Sequence, residues 1–440
     1  MERPIGVDLF AGVGGMSLGF EQAGFDVLAA VEIDPIHACV HHYNFPECAV
    51  LPKSVRALSG AEIRSASTIG DRRVAVVFGG APCQGFSMIG KRVLDDPRNA
   101  LVNDFVRIVS ELRADYFVFE NVKGLTVGKH RKFLDELIAA FALNGYDVVK
   151  DWRVLNAAAF GVPQSRERLF LLGAKKGLPL PCYPDPGTLP AGGVAELLLP
   201  CGPSCRDALG DLPDAESFAE LLTRDEVAVG DWSGSSPYAN LMRCDEPASW
   251  YFGYRRKWDR TRLTSSMRTD HTPISRMRFA ATLPGTVEPI SRFFKLEPGG
   301  VSNTLRAGTD ASRGAFTSPR PIRYKYNRCV TVREMARLHG FPDWFRFHGT
   351  KWHGARQIGN AVPPPLARVV ASSVIAAMGA TLGRPSRVIE PGPSIMLTYD
   401  MRRAAEYWNV PAPPGKRDRK SGATKRSQAE TEAERLRLLA

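Results

Sequence analysis

Short apolar runs alternate with helix-like stretches over the first 175 residues of the chain. The apolar, β-branched runs cover 5–10, 27–31, 73–78, 115–119 and 169–172. Runs of this length are typical of strands buried on both faces of a sheet. Between them, 102–112 places apolar residues three and four positions apart, as in a crossover helix. The alternation predicts an α/β fold: a Rossmann-like domain with a mostly parallel sheet and helices on both faces.

The periodic pattern stops near Lys175. Proline and glycine are dense between 177 and 203, which indicates irregular loops, and aromatic and basic side chains are interleaved from 240 to 325. We therefore expect a large α/β domain, a smaller irregular β-rich domain, a closing segment with a helix over 366–378 that returns to the large domain, and an extension with a disordered, charged end. The predicted bounds are 1–175, 176–330, 331–385 and 386–440.

The composition favours a polyanionic partner and a reducing compartment. The 440 residues carry a net charge of +12, and the pI is about 9.4. A basic balance of this size favours nucleic acid, although solvated basic faces are common. The eight cysteines are scattered, and Cys182, Cys201 and Cys205 lack the spacing and fourth ligand of a zinc site, so we expect no metal. His37 and His41 are expected at the surface of a helix.

The same data predict a cytoplasmic protein. We find no run of about 20 apolar residues that would span a membrane. The first predicted strand begins close to Met1, so no signal peptide is expected before it.

The first predicted strand runs into a glycine-rich turn. Residues 8–15 have the sequence Asp-Leu-Phe-Ala-Gly-Val-Gly-Gly, and a helical stretch follows from Ser17. This strand–turn–helix arrangement brings backbone close to a nucleotide-like ligand. The second strand ends in Glu32, where a carboxylate can bind ribose hydroxyls. A plain tight turn and a solvated charge are the alternatives. An aromatic at Phe10, which can face an adenine, makes a nicotinamide dehydrogenase the weaker interpretation.

A cysteine stands on a second glycine-rich loop. Residues 79–87 have the sequence Gly-Gly-Ala-Pro-Cys-Gln-Gly-Phe-Ser, so Cys83 follows the third predicted strand, at the edge where α/β sheets form their ligand crevices. A thiol held there is a nucleophile if its pKa is lowered or its target is activated. A buried structural cysteine is the alternative. The loop 85–99, rich in Gly, Ser, Lys and Arg, is suited to closing over a ligand.

Further polar side chains accompany the later strands. Glu120 ends the fourth strand, and burial beside the Cys83 loop would keep its carboxyl protonated and able to donate to a ring nitrogen. Arg166 and Arg168 alternate at strand spacing and therefore face one side, which suits a phosphate or a base carbonyl. A charged edge strand has the same pattern.

In this order the motifs resemble those of the DNA (cytosine-5)-methyltransferase family. The cofactor, Pro-Cys-Gln, Glu-Asn-Val and Gln-x-Arg-x-Arg motifs correspond to 8–15, 82–84, 120–122 and 164–168. The family's last two motifs are similar to 331–342 and 357–364. The resemblance covers 1–175 and 300–380 well, and the segment between them by position only.

The resemblance implies an enzyme that transfers a methyl group from S-adenosylmethionine to C5 of a cytosine flipped out of duplex DNA, through a covalent adduct of Cys83 with C6. The implied catalytic residues are Cys83, Glu120, Arg166 and Arg168. The implied cofactor residues are Asp8, Phe10, Ala11, Gly12, Gly14, Gly15, Glu32, Ile33, Ser54, Val55, Pro82, Leu101, Asn360 and Val362. The implied DNA-binding residues are Gln84, Ser87, Arg98, Gln164, Thr304 and Leu305.

The chain departs from the family at Ser54. Many members have an aspartate here that binds the adenine amino group, so the adenine contacts of Ser54 and Val55 are in doubt. Cofactor affinity would then depend more on Phe10, Glu32 and Ile33.

Three other functions share parts of this pattern. An RNA cytosine methyltransferase would use the same cysteine and glutamate, but its Cys-Phe-Thr signature is absent from the sequence. A binding module without activity would not need the intact catalytic set, and a cysteine hydrolase would need a positioned histidine in a comparable motif.

The expected partner is duplex DNA. In a restriction–modification pair, a cognate restriction endonuclease would act on the same site without stable binding, and a solitary methylase is the alternative. The compact chain suggests a monomeric, nucleoid-associated bacterial enzyme. The recognised DNA sequence does not follow from the residues, and Thr282-Leu283 competes with Thr304-Leu305 for the family's Thr-Leu element.

Overall fold

The structure is a computed structural model that describes most of the chain. The described residues are 2–82, 100–126, 131–192, 199–230, 232, 234, 236–309 and 318–412.

An eight-stranded mixed sheet forms the centre of the first 175 residues. Its strands are β1 (Ile5–Leu9), β2 (Asp26–Val31), β3 (Ala49–Leu51), β4 (Val74–Gly79), β5 (Tyr116–Val122), β6 (Tyr146–Val148), β7 (Arg153–Asn156) and β8 (Glu167–Lys175). They lie in the order β3-β2-β1-β4-β5-β8-β6, and β7 also pairs with β8. Strands β1 to β5 pair in parallel, whereas β8 is antiparallel to β5, β6 and β7. The predicted mostly parallel α/β sheet is confirmed.

Helices cover both faces of this sheet. Those of the first 175 residues are α1 (Gly15–Ala23), α2 (Pro35–Asn44), α3 (Gly60–Ser65), α4 (Ala100–Glu111) and α5 (Arg131–Leu143), with 3₁₀ turns at Val55–Ala57, Lys123–Thr126 and Ala157–Phe160. On one face α4 and α5 pack on the sheet, where Phe117 of β5 stacks on Phe141 with ring centroids 3.7 Å apart. On the other face, Phe20 of α1 stacks on Phe78 of β4.

The segment from 176 to 330 is irregular. It contains α6 (Cys205–Leu209), α7 (Pro237–Arg243), α8 (Pro273–Ala281), β9 (Val227–Ala228), β10 (Arg255–Arg256) and β11 (Arg262–Leu263), with 3₁₀ turns at Ala215–Ser217, Ala219–Leu222 and Pro247–Trp250. Named strands in its described residues have two residues each, so the segment is less rich in β-structure than the sequence suggested. Buried guanidinium groups bind its backbone carbonyls instead: Arg323 donates to Leu209 O, and Arg320 donates to Val330 O.

Many arginines of this segment are paired inside the protein. Arg256 is buried, and its guanidinium donates to both carboxylate oxygens of Glu21 in α1, at 2.7 and 3.1 Å. Arg260, Arg262, Arg276 and Arg278 pair with Asp245, Glu226, Glu216 and Glu288. The interleaved basic and aromatic sequence therefore overstates the charge available for phosphate, because carboxylates of the same protein already neutralise part of it.

The last motifs return to the large domain through three helices, α9 (Val332–His339), α10 (Lys351–Asn360) and α11 (Pro364–Met378). Helix α11 packs on α1 so closely that a Cβ on Gly19 would lie 2.5 Å from the Cβ of Ala367, an approach that only glycine permits. The helix expected over 366–378 corresponds to α11.

One described stretch, 351–378, is long and apolar enough to cross a membrane by length and composition, although the sequence analysis found none. Half of it is buried, and it comprises α10 and α11 with the break between them, which is the behaviour of a core element of the fold.

The extension after 385 wraps back over the molecule. Strand β12 (Val388–Ile389) pairs in parallel with β10, a 3₁₀ turn follows at Ser394–Thr398, and α12 (Met401–Trp408) packs on α2. The indole nitrogen of Trp408 donates to the Sγ of Cys39 at 3.1 Å.

Candidate active site

A cavity of about 590 Å³ lies at the carboxyl ends of β1, β2, β4 and β5. This is the edge where parallel strands of an α/β sheet present their ligand site. Most of the predicted cofactor residues line it: Asp8, Phe10, Ala11, Gly12, Gly15, Glu32, Ile33, Ser54, Val55, Pro82, Leu101, Asn360 and Val362. Glu120 and Arg168, two of the four predicted catalytic residues, line the same cavity.

The turn after β1 depends on unusual backbone angles. Phe10, Gly12 and Gly14 have φ values of 61°, 55° and 95°, in the left-handed region that glycine adopts without strain. Gly14 caps α1 and does not line the cavity, and a Cβ there would clash with the ring of Phe45. A Cβ on Gly15 would lie 2.5 Å from the carbonyl oxygen of Val362. The glycines therefore let the turn approach both α2 and the final motif.

Glu32 is fixed at the end of β2 by backbone donors. Its Oε2 accepts from Gly12 N and its Oε1 from Asp34 N, both at 2.8 Å. Burial raises the pKa of this carboxyl above its usual range. Each oxygen keeps a further lone pair, so the carboxylate can still accept from a ligand hydroxyl. Beside it the side chain of Ile33 is 66% exposed, and it offers an apolar surface at the rim.

Glu120 and Arg168 form a pair at the opposite wall. Arg168 Nε lies 2.8 Å from Glu120 Oε1, and both side chains are nearly buried. Burial raises the pKa of Glu120, and the two guanidinium groups of Arg168 and Arg166 oppose that rise. Arg168 Nη1 donates to the carbonyl of Glu167, which leaves Nη2 without a hydrogen-bond partner among the described residues. The pair combines a carboxyl that can hold a proton with a spare donor.

The backbone that leads to Cys83 is held next to this pair. Asn121 Nδ2 donates to the carbonyl of Ala81 at 3.0 Å, and Pro82 lines the cavity. Four predicted site residues lie outside the described residues: Cys83, Gln84, Ser87 and Arg98.

Arg166 and Gln164 lie in the interior rather than at the cavity. Arg166 donates to the carbonyls of Leu305, Gly359 and Ala361 at 2.8–3.0 Å. Gln164 is fully buried, donates to the carbonyl of Leu338, and accepts from Leu305 N. Burial lowers the pKa of Arg166 to about 9. These side chains join β8 to the last motifs of the chain.

The two remaining predicted residues differ in exposure. Thr304 is exposed, and its hydroxyl donates to the carbonyl of Ser165 at 2.7 Å, whereas the side chain of Leu305 is buried.

Several cavity residues were not predicted from the sequence. They are Val13, Met16, Val31, Asp34, His37, Lys53, Gly80, Ala81, Asn121, Val122, Arg356, Gln357, Gly359 and Ala361. Asp34 had a local signal, because an aspartate before Pro35 is a helix N-cap, and it accepts from Ile36 N and His37 N. The prediction for His37 and His41 was wrong: both are buried, since α12 and the glycine turn cover the two sides of α2. Within the described residues no cluster of side chains suits a metal ion.

Comparisons with known proteins agree with this geometry. The family described as C-5 cytosine-specific DNA methylase matches residues 6–376. The Type II methyltransferase M.XorII of Xanthomonas oryzae pv. oryzae is 56% identical over 411 residues, which are 93% of this chain and 93% of that protein. The Type II methyltransferase M1.HphI of Haemophilus parahaemolyticus is 34% identical and covers 84% of this chain and 86% of its own.

A solved structure has a similar fold. A DNA modification methyltransferase encoded within a prophage of E. coli superposes with a TM-score of 0.68 at 31% identity, over 86% of this chain and 100% of that one.

Proposed function

Because the chain belongs to the C-5 cytosine-specific DNA methylase family, we propose that it methylates C5 of a cytosine within a specific duplex DNA sequence, with S-adenosylmethionine as the methyl donor. The observation that carries the proposal is the shared cavity, in which the glycine turn and Glu32 lie opposite Glu120, Arg168 and the backbone that precedes Cys83. This arrangement would bring a methyl donor and a cytosine together.

The cavity suits the proposed cofactor. An acidic wall of Asp8 and Glu32 matches a ligand with cationic groups and ribose hydroxyls, while Phe10 and the exposed Ile33 offer apolar surface for an adenine. Ser54 accepts from Arg56 N at 3.3 Å as the cap of a 3₁₀ turn, so its hydroxyl is partly committed. S-adenosylmethionine would supply an electrophilic methyl group at this site.

Cys83 would act as the nucleophile. Its thiolate would add to C6 of the cytosine, and the resulting electron-rich C5 would take the methyl group. Loss of the C5 proton would then expel the thiolate and restore the ring. Because C6 is inaccessible inside a duplex, the base has to be flipped out of the helix.

Glu120 and Arg168 would stabilise the charge that develops on the ring. A Glu120 carboxyl with a raised pKa can hold a proton at N3, and the spare Nη2 of Arg168 can donate to O2. Arg166 would have a positioning role, since its donors are bound to three carbonyls of the protein. This division separates two arginines that the sequence alone left equivalent.

Sequence recognition would reside mainly in residues 176–330, whose composition differs from that of the catalytic domain. The relatives named Type II methyltransferases suggest a restriction–modification setting, in which an endonuclease reads the same site without stable binding.

One assay tests the proposal. Purified protein is incubated with methyl-labelled S-adenosylmethionine and either duplex DNA or transfer RNA, and bisulfite sequencing locates the product. We expect label in duplex DNA, at cytosine C5 within one short sequence. Label in transfer RNA alone, or on the exocyclic nitrogen, would reject the proposed substrate or the proposed chemistry.

A further inference from the structure

A buried chain of hydrogen bonds runs from the floor of the cavity into the protein. Ser17 Oγ lies 2.6 Å from Asp8 Oδ2 and 3.1 Å from His41 Nε2. Asp8 lines the cavity, yet it is only 1% exposed, and Ser17 and His41 are fully buried. Because Ser17 has a single proton, donation to Asp8 requires His41 to donate to Ser17 through Nε2–H. In this hydrogen-bond chain His41 then donates to Ser17, and Ser17 donates to the carboxyl group of Asp8.

Asp8 has no cationic partner among the described residues. Its neighbours across the sheet, Ala30 and Phe78, are apolar, and the carboxylate of Glu32 is close enough to oppose a second negative charge. Cys48 also faces it, and burial raises the pKa of that thiol, so it stays neutral. An ionised Asp8 in the free protein would therefore be a buried and uncompensated charge.

His41 cannot supply the missing positive charge. Its ring lies against Phe45 with centroids 4.9 Å apart, and its Nδ1 is buried without a hydrogen-bond partner among the described residues. Burial lowers the pKa of His41 to about 3, so the ring is neutral at physiological pH. Burial likewise raises the pKa of Asp8 to about 8, although the bond from Ser17 opposes that rise. Geometry and charge agree that Asp8 is protonated when the cavity holds no cation.

We propose that Asp8 exchanges a proton when the cofactor binds: the carboxyl group is neutral in the free protein and loses its proton to solvent as a cationic ligand enters the cavity. This inference rests on the proposed cofactor. Protons and charge balance in this step. One O–H bond of Asp8 breaks, one proton leaves to solvent, and the new carboxylate offsets one positive charge of the ligand. Ser17 and His41 are positioning residues that orient the acceptor oxygen, and nothing in the cofactor motif alone assigns them this role.

Titration calorimetry in two buffers of different ionisation enthalpy measures the proton release directly. With S-adenosylmethionine and full-length wild-type protein, we expect proton release per bound ligand to be largest below about pH 8 and to fall as the pH rises above it. The ligand's own amino group titrates in the same range, so the informative quantity is the difference between wild type and Asp8→Asn. That variant keeps the size of the side chain and has no proton to lose.

Ser17→Ala is the second variant, and it tests the proton exchange of Asp8 if Asp8→Asn does not fold or bind the cofactor. Removing the bond that lowers the Asp8 pKa should move the release curve to higher pH, whereas a merely structural role of Ser17 would leave the curve in place. Equal release by wild type and both variants would overturn the proton exchange and leave the proposed function intact. A wild-type protein that gives no binding heat with S-adenosylmethionine would overturn both.

Discussion

A methyl group on Gly80 should disable the candidate active site without unfolding the protein. Gly80 directly follows β4, and the side chain that an added Cβ would meet is that of Glu120. A Cβ at this position would lie about 1 Å too close to Glu120 Oε2 for ordinary contact, which begins near 3.4 Å. The carboxylate must therefore withdraw, and its 2.8 Å contact with Arg168 has to stretch or rotate.

The size of the effect follows from this displacement. A misplacement of about 1 Å in a reacting group lowers rates on the order of 100-fold, or about 2.7 kcal/mol in activation free energy. The clashing atom is the end of a flexible side chain, so the free energy of unfolding should change by no more than about 1 kcal/mol. Gly79→Ala differs, because its Cβ would overlap the carbonyl of Leu9 in β1, which cannot move without breaking the sheet.

The assay compares kcat for methyl transfer with the thermal unfolding midpoint in Gly80→Ala, Gly79→Ala and Gly124→Ala. Gly124 is a matched control, since its Cβ would meet only a side-chain carbon of Val122 at 3.9 Å. We expect a low kcat with a near-normal midpoint for Gly80→Ala, a collapsed midpoint for Gly79→Ala, and little change in the control. Full kcat in Gly80→Ala would refute the reasoning about Glu120, as would a loss that follows unfolding.

Three further predictions address the nucleophile, the cofactor and the interdomain contact. Cys83→Ser should abolish turnover with DNA binding largely intact, and 5-fluorocytosine at the target should trap a denaturation-resistant adduct on Cys83; mass spectrometry that finds the adduct on another residue contradicts this. Glu32→Ala should weaken S-adenosylmethionine binding by about 1–3 kcal/mol, measured by calorimetry against Glu32→Gln, and unchanged affinity would exclude the residue. Arg256→Met should cost about 3–5 kcal/mol in denaturant unfolding, because Glu21 is left buried without its partner, and a cost below 1 kcal/mol would show that the pair is dispensable.

The sequence predicted the parts of the site that depend on local pattern. The glycine turn, Glu32 and Glu120 each follow directly from an apolar strand, and parallel strands bring their carboxyl ends to one edge. These features need only the neighbouring residues to be interpreted.

Other features depend on partners far away in the chain and have no local signal. Gln164 reaches His339 across 175 residues, and Arg166 reaches carbonyls more than 130 residues ahead. Two-residue spacing placed Arg166 on the same side as Arg168, and the family resemblance placed Gln164 at the DNA. The structure instead places Arg166 and Gln164 in the interior, because the last motifs fold over them. His41 is buried because Phe45 and the glycine turn pack around its ring, and the helical spacing of His37 and His41 did not reveal these contacts.

The geometry of the cavity is therefore set by contacts between segments that are distant in sequence. A Cβ on Gly359 in α10 would lie 2.5 Å from the Cα of Ala307, so the backbone of α10 touches the backbone around residues 305–307. Arg166 donates to a carbonyl of each, at Gly359 and at Leu305. The same stretch continues to Val362, whose carbonyl meets Gly15 at the cofactor turn. One continuous set of close backbone contacts thus links β8, the segment around residues 305–307 and the glycine turn. A substitution in this set would shift the wall near Asn360 relative to Glu120, which lines the same cavity.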